Sequence, residues 1–73
     1  METRMIELKN VNKQEREILM LLKRTGKCMY GNIFKELNIS STKGAELILS
    51  LSSKGYIKNA GKTSFYELNG EII

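Results

Sequence analysis

The spacing of the apolar residues changes at Gly55, and this change restricts the chain to a mixed fold. Before Gly55, apolar side chains recur three and four residues apart, which is the spacing of helices that bury one face. After Gly55 the period becomes two, and the sequence is rich in aromatic residues, threonine and isoleucine, which is typical of strands. The sequence therefore predicts a mainly α fold of the α+β class. Three helices precede a small antiparallel sheet of two or three strands.

The first predicted helix runs from about Lys13 to Thr25. Asn12 and Glu15 have the spacing of a capping box, in which each side chain accepts a hydrogen bond from the other residue's backbone amide. Gly26 follows the helix, and glycine readily adopts the left-handed conformation that ends many helices. Both ends of this helix are thus defined by local chemistry.

Two further helices follow, separated by a tight turn. The first is short and contains Tyr30, Ile33, Phe34 and Leu37. Its start is left open, because Met29 stands where a capping Ser, Thr or Asp usually precedes a helix. Ser40 is suited to cap the next helix, from about Ser41 to Ser53. Gly44 lies on the apolar face of that helix, and the lack of a side chain there predicts a close approach to the second helix.

The residues after Gly55 predict a β-hairpin. Tyr56 to Asn59 and Thr63 to Leu68 form its strands, and a short glycine-containing loop joins them. Alternate residues of a strand point to opposite faces, so one aromatic residue of the second strand is buried and the other is not. We expect Tyr66 and Leu68 to point inward and Phe65 to lie off the inward face.

Three short segments keep more than one interpretation. Residues 27–29 are too few for anything beyond a short strand or a linker. Residues 1–11 and 69–73 flank the predicted core of about 12–68, and both carry apolar side chains. These ends form an extra strand, a frayed segment or the contacts of a dimer.

The composition removes most catalytic chemistry. The 73 residues contain no histidine and no aspartate, and Cys28 is the single cysteine. A histidine-based triad, a zinc site with histidine or several cysteines, and an intrachain disulfide are therefore excluded. We expect no enzyme, no metal and no cofactor, and Cys28 is typical of a small buried hydrophobe.

Nothing in the sequence indicates a membrane or an export signal. The longest apolar run, Ile18 to Leu22, is far below the roughly 20 residues that span a bilayer. The first residues lack the pattern of a signal peptide. The expected location is therefore the cytoplasm, or the host cell if the protein is viral.

The length of 73 residues fits one small domain and suggests a dimer. In a chain this short, the free energy gained by burial and the entropy lost on folding nearly cancel. A second copy would add burial, and the sequence has apolar residues to spare for it: Met20, Leu21, Leu49, Ile72 and Ile73. We expect a homodimer with contacts from the first helix and the C-terminal tail.

The order of elements and four short stretches resemble the winged helix-turn-helix superfamily. The stretches are Leu37-Asn38-Ile39-Ser40, Ile48 with Leu51, Lys54-Gly55-Tyr56-Ile57, and Phe65-Tyr66-Glu67-Leu68. The resemblance covers about Asn12 to Leu68 and is closest to small single-domain regulators of archaea, bacteria and their viruses or plasmids. It implies a third helix in the DNA major groove and a hairpin, the wing, on the backbone or the adjacent minor groove.

The residues themselves also favour a DNA-binding surface on the third helix and the hairpin. Residues 41–66 hold four lysines and one glutamate, a net charge of +3 out of +4 for the chain, which suits an acidic partner. Hydroxyls and amides at a helix start can bind phosphate, and the hairpin lysines can reach further phosphates. Lys43 and Glu46 are placed for base edges, where a carboxylate either accepts from cytosine or repels the backbone. The candidate DNA-binding residues are Ser41, Thr42, Lys43, Glu46, Ser50, Lys54, Lys58, Lys62 and Thr63.

These observations give two hypotheses for the function. The first is a sequence-specific regulator that binds double-stranded DNA as a homodimer, represses by occlusion and has no small-molecule effector. The alternative is a winged-helix module that binds another protein in a transcription, replication or viral assembly. The salt dependence of DNA binding separates them, because only phosphate contacts release counterions.

Overall fold

The computed structural model describes residues 5–61 and 63–72, and its first and third α-helices begin and end where the sequence predicts. Within these residues a single turn of 3-10 helix, Leu8–Asn10, precedes the first α-helix. The helices are Lys13–Thr25 (α1), Tyr30–Leu37 (α2) and Ser41–Ser53 (α3). The strands are Met5–Ile6 (β1), Lys27–Met29 (β2), Ile57–Asn59 (β3), Phe65–Leu68 (β4) and Glu71–Ile72 (β5).

The predicted capping box starts α1. The Asn12 side-chain oxygen accepts from the Glu15 amide at 2.8 Å, and the Glu15 carboxylate accepts from the Asn12 amide at 3.0 Å. At the other end Gly26 has a φ of 86°, and its amide donates to the Leu22 carbonyl at 2.8 Å. Each end of the helix therefore has partners for backbone groups that would otherwise be unpaired.

The turn between α2 and α3 is held by backbone and side-chain caps. Asn38 adopts a left-handed conformation, with φ of 53°, and the Ile39 amide donates to the Phe34 carbonyl at 3.1 Å. The Ser40 hydroxyl accepts from the Lys43 amide at 3.1 Å and so caps α3 as predicted. Met29 gives α2 no side-chain cap.

A left-handed glycine ends α3 and turns the chain into the hairpin. Gly55 has a φ of 77°, and its amide donates to the Ser52 carbonyl at 3.0 Å. The Tyr56 amide reaches back to the Leu51 carbonyl, also at 3.0 Å. This pair of bonds is the Schellman arrangement, which satisfies the last carbonyls of a helix.

The sheet has three antiparallel strands in the order β2-β4-β3. Residues 27–29 are thus a strand and not a linker, and Cys28 lies opposite Tyr66. The hairpin strands are shorter than predicted. β3 begins one residue later because the Tyr56 amide bonds to the Leu51 carbonyl, and β4 begins two residues later because side chains at the tip bond to the loop. The Thr63 hydroxyl donates to the Ala60 carbonyl at 2.8 Å, and the Asn59 side chain donates to the Thr63 carbonyl at 3.2 Å.

The described parts of the two termini pair with each other. β1 and β5 run parallel, with Met5 opposite Glu71 and Ile6 opposite Ile72. Ile6 has no exposed surface, and Ile72 packs against the core. Of the three alternatives for the ends, the extra strand is therefore correct for these residues, and Ile6 is not accessible to a partner. Ile73, expected at a dimer contact, lies outside the described residues.

The core lies between α1, the other helices and the sheet. α1 packs against α2, α3, β2 and β4. Tyr66 and Leu68 pack against this core, as predicted, and Tyr30 meets the Phe34 ring edge-on with ring centroids 4.5 Å apart. The close approach predicted at Gly44 is also present, because a Cβ atom built there would overlap the Phe34 ring. No helix among the described residues has the length and hydrophobicity needed to cross a membrane.

Candidate nucleic-acid interface

The first turn of α3 presents hydrogen-bond donors and a positive charge to solvent. Ser41, Thr42 and Lys43 are all exposed. Ser40 satisfies the Lys43 amide, whereas the amides of Ser41 and Thr42 precede the first bonds within the helix. In residues 5–61 and 63–72 the Lys43 ammonium has no ion-pair partner. This turn can therefore bind an anion through two amides, two hydroxyls and one ammonium group.

The outermost stripe of α3 continues from this turn. Thr42, Glu46, Leu49 and Ser53 are spaced four, three and four residues apart, so they lie along one side of the helix. All four are exposed. The opposite side of α3 carries the buried residues Gly44, Leu47, Ile48 and Leu51. Glu46 thus lies in the middle of the surface that α3 offers to a partner.

Ser50 and Lys54 face α1 and do not extend this surface. The Ser50 hydroxyl donates to a Glu15 carboxylate oxygen at 2.7 Å. The Lys54 ammonium donates to both carboxylate oxygens, at 3.0 and 3.1 Å, and to the Asn10 carbonyl at 3.1 Å. The sequence predicts that both side chains contact DNA, and in the structure both bond to a buried carboxylate on α1.

The contacts of Glu15 with α3 were not predicted from the sequence. Its capping role is readable from Asn12, but its partners on α3 lie 35 and 39 residues further along the chain. Burial raises the pKa of the Glu15 carboxyl. Hydrogen bonds from the Asn12 amide, Ser50 and Lys54, with the Lys54 charge, outweigh burial and hold the pKa below its ordinary value of 4.5. The group is therefore ionised at neutral pH.

The described part of the wing carries one of its two predicted cations. Lys58 is exposed on β3, and its ammonium lies 3.9 Å from the Glu67 carboxylate on β4. An exposed pair at this distance is weak and leaves the lysine available to a phosphate. Thr63 uses its hydroxyl within the loop, where it also accepts from the Phe65 amide at 3.2 Å. Lys62 lies outside the described residues.

The wing is joined to the start of α2. The Tyr30 amide donates to the Ser64 carbonyl at 2.9 Å, so the first amide of α2 has a partner on the wing. Lys27 on β2 lies over the Phe65 ring, with its ammonium 5.7 Å from the ring centroid. The sequence did not predict which residue lies against Phe65, and this cation is one of its neighbours. The wing is therefore joined to the start of α2 by a backbone contact and to β2 by a side-chain contact.

Cys28 is buried, with 8% of its surface exposed. Burial raises the pKa of the thiol, and the nearby Glu36 charge raises it further. The thiol is therefore protonated at neutral pH, which agrees with its interpretation as a small hydrophobe. Among the residues that the structure describes, no three metal-ligating side chains form a group.

A separate shallow cleft lies between α1 and the end of α2. It has a volume of about 370 Å³ and is lined by Glu17, Met20, Leu21, Arg24 and Leu37. Met20 is 45% exposed at its edge, whereas Leu21 is buried beneath it. The surplus apolar residues predicted on the first helix are thus divided between an exposed side chain and the core.

One solved structure resembles the chain in fold. It is described as the Zalpha domain of PKZ from Carassius auratus in complex with Z-DNA. The TM-score is 0.69 and the sequences are 23% identical, over 77% of this chain and 92% of that one. No protein-family model and no curated protein sequence matches the chain. The chain has the winged helix-turn-helix fold, as its own sequence predicts.

Proposed function

We propose that the chain binds double-stranded DNA through α3 and the wing. The observation that supports this most directly is the exposed start of α3, where Ser41, Thr42 and Lys43 offer donors and charge on a capped helix end. Helix N-termini of this kind bind phosphate in many proteins. The likeness to a domain solved in complex with Z-DNA supports nucleic acid as the partner.

In this proposal α3 lies in the major groove and the wing contacts the backbone. The start of α3 binds a phosphate and fixes the register, while Lys43 and Glu46 reach base edges. A glutamate in the groove accepts a hydrogen bond from the cytosine amino group. Lys58, with Lys62 and Thr63, contacts phosphates beside the groove. We assign Ser50 and Lys54 to the contact with Glu15.

We further propose that the protein acts as a homodimer and represses transcription by occlusion. A two-fold symmetric dimer reads a palindrome whose half-sites lie about 34 to 36 Å apart, one turn of DNA. We place the subunit contact at the cleft between α1 and α2, where exposed Met20 lies beside an apolar depression. The cytoplasm, or the host cell for a viral protein, is the corresponding location.

The charges beside this cleft suit a contact between identical chains. Glu17 and Arg24 lie equally far along α1 from the midpoint between Met20 and Leu21. If two α1 helices pack antiparallel about a two-fold axis at that midpoint, each Glu17 meets the partner's Arg24. The same axis brings each Met20 over the cleft of the other copy.

Fluorescence anisotropy with labelled duplexes tests the DNA-binding proposal. With about five phosphate contacts, log affinity should fall against log salt with a slope of about −4.5. One labelled duplex has a random sequence, and a second is a CG repeat held in the left-handed form. The second duplex shows whether the chain shares the ligand named for its structural neighbour. DNA binding that is weak and nonspecific, together with a tight protein partner, would instead support the interaction-module hypothesis.

Two lysine variants test the orientation. Lys43→Ala is expected to relax sequence preference, at a cost of about 1 to 3 kcal/mol if the side chain meets a base. Lys58→Ala should weaken all sequences alike and reduce the salt slope by about one. Lys9→Ala is the matched control, because Lys9 has the same charge and a comparable exposed ion pair, with Glu7 at 3.6 Å, before α1. Equal effects from all three variants would contradict the proposed surface.

A further inference from the structure

Leu49 is the most exposed of the large apolar side chains among the described residues. It is 69% exposed, compared with 41 to 51% for the exposed methionines. It lies in the middle of α3, on the outward stripe that it shares with Thr42, Glu46 and Ser53. The core does not need it, because Leu47, Ile48 and Leu51 already fill the inward face of α3.

The surroundings of Leu49 argue against a protein partner at this point. Its neighbours on the helix surface, three and four residues away, are Ala45, Glu46, Ser52 and Ser53. Leu49 is therefore a single apolar group among small and polar residues. Contiguous apolar patches mark protein-binding surfaces, and Leu49 has no such patch around it, so the target that it could cover is a single small apolar group.

The DNA major groove offers one apolar target of that size. The edges of the bases present hydrogen-bond donors and acceptors there, and the only apolar group is the 5-methyl of thymine. We infer that Leu49 is a specificity-determining residue that contacts a thymine methyl in the bound site. This inference rests on the proposed function, since it requires α3 to lie in the major groove.

The spacing of Leu49 and Glu46 extends the inference to two positions of the site. Three residues of α-helix rise about 4.5 Å, and neighbouring base pairs are stacked about 3.4 Å apart. The two side chains therefore meet the same or adjacent base pairs. Cytosine and thymine belong to different base pairs, so a Glu46 contact with a cytosine amino group and a Leu49 contact with a thymine methyl require adjacent pairs. The preferred half-site therefore contains a C·G pair next to a T·A pair.

Replacement of thymine by deoxyuridine tests this contact, because it removes the methyl and leaves every hydrogen bond of the base in place. The bound sequence is first selected by the full chain from a pool of random-sequence duplexes. Each thymine of that sequence is then replaced in turn, and affinity is measured for the wild type, Leu49→Ala and the control Ser52→Ala. Ser52 is exposed on α3 but lies off the outward stripe.

One thymine in each half-site should be sensitive to this replacement. Its replacement is expected to weaken binding of the wild type and of Ser52→Ala about fourfold, the factor that corresponds to burying one methyl group. In Leu49→Ala the same replacement should have no effect, because the partner of the methyl is already gone. Replacement of any other thymine should leave the affinity of each of the three proteins unchanged.

Three results would overturn the inference while leaving DNA binding intact. Affinity that does not change at any deoxyuridine position is the first. A deoxyuridine effect that persists in Leu49→Ala is the second. The third is a Leu49→Ala variant that binds DNA as before but sediments as a smaller species, which would assign Leu49 to a subunit contact. Failure of the proposed function is distinct, since no duplex would then show salt-dependent binding.

Discussion

At the scale of single residues, Gly44 sets the distance between α2 and α3. The Phe34 ring occupies the space where a side chain at position 44 would begin. Phe34 is itself buried, with 8% of its surface exposed, so the ring has little room to move. The helix-turn-helix geometry thus depends on the absence of a Cβ atom at Gly44.

Gly44→Ala is expected to destabilise the protein, although alanine is the better helix former. Helix propensity favours alanine by about 1 kcal/mol, whereas overpacking a core costs about 1 to 3 kcal/mol. Urea unfolding followed by circular dichroism measures the difference. Gly31→Ala is the control, because a Cβ atom there meets nothing within 4 Å and should stabilise α2. If both variants gain stability, the contact with Phe34 is not tight.

At the scale of elements, the sequence predicted the helices better than the contacts between them. Caps and glycines act within a few residues, so α1 and α3 begin and end where Asn12, Ser40 and Gly55 indicate. An extra strand was only one of three alternatives for the ends, and the pairing of β1 with β5 could not be predicted, because each has two residues and its partner lies at the other end of the chain. Such short strands carry no periodic signal.

The candidate interface shows the same division. The exposure of Thr42, Lys43 and Glu46 follows from the helical period, which the sequence contains. The diversion of Ser50 and Lys54 does not follow from it, because their partner is a carboxylate on another helix. Charge counts along the chain therefore do not reveal that Lys54 already has an acidic partner within the chain.

The contact of Glu15 with α3 should make the free energy of unfolding depend on pH in the acidic range. The folded-state pKa of Glu15 lies below its ordinary value of 4.5, so the unfolded chain binds this proton first as the pH falls. The stabilisation is complete above about pH 4.5 and is lost as the pH falls through the folded-state pKa. The start of α1 and the end of α3 should therefore separate more easily in acid.

Glu15→Gln tests this link, because glutamine preserves the capping box and removes the charge that Lys54 pairs with. The free energy of unfolding at pH 7 should fall by about 1 to 3 kcal/mol, the cost of a lost charged hydrogen bond. The difference from the wild type should shrink as the pH falls below 4.5. The control is Glu36→Gln, an exposed change on α2. A difference that stays constant in acid would show that ionised Glu15 does not carry the effect.

At the scale of the whole molecule, the dimensions of one subunit are compatible with the proposed DNA geometry. The Cα positions extend 34 × 28 × 21 Å. Two copies in contact therefore have centres no more than about one long axis apart, close to the roughly 34 Å of one DNA turn. A dimer on adjacent turns of one DNA face needs no additional domain to span its half-sites.

The proposed contact through α1 makes an unusual prediction about mixtures of variants. Glu17→Arg places two cations of one chain opposite the same two cations of its partner, and Arg24→Glu does the same with two anions. Each variant alone should therefore dimerise at least about tenfold more weakly than the wild type, a loss of about 1.4 kcal/mol. Mixed in equal amounts, the two variants should associate with each other, because every cation then faces an anion.

Analytical ultracentrifugation of each variant and of the mixture measures this association. Glu36→Gln is the control, because it changes the surface outside the cleft. Two variants that dimerise like the wild type would place the subunit contact elsewhere, and a wild type that sediments as a monomer would contradict the dimer itself.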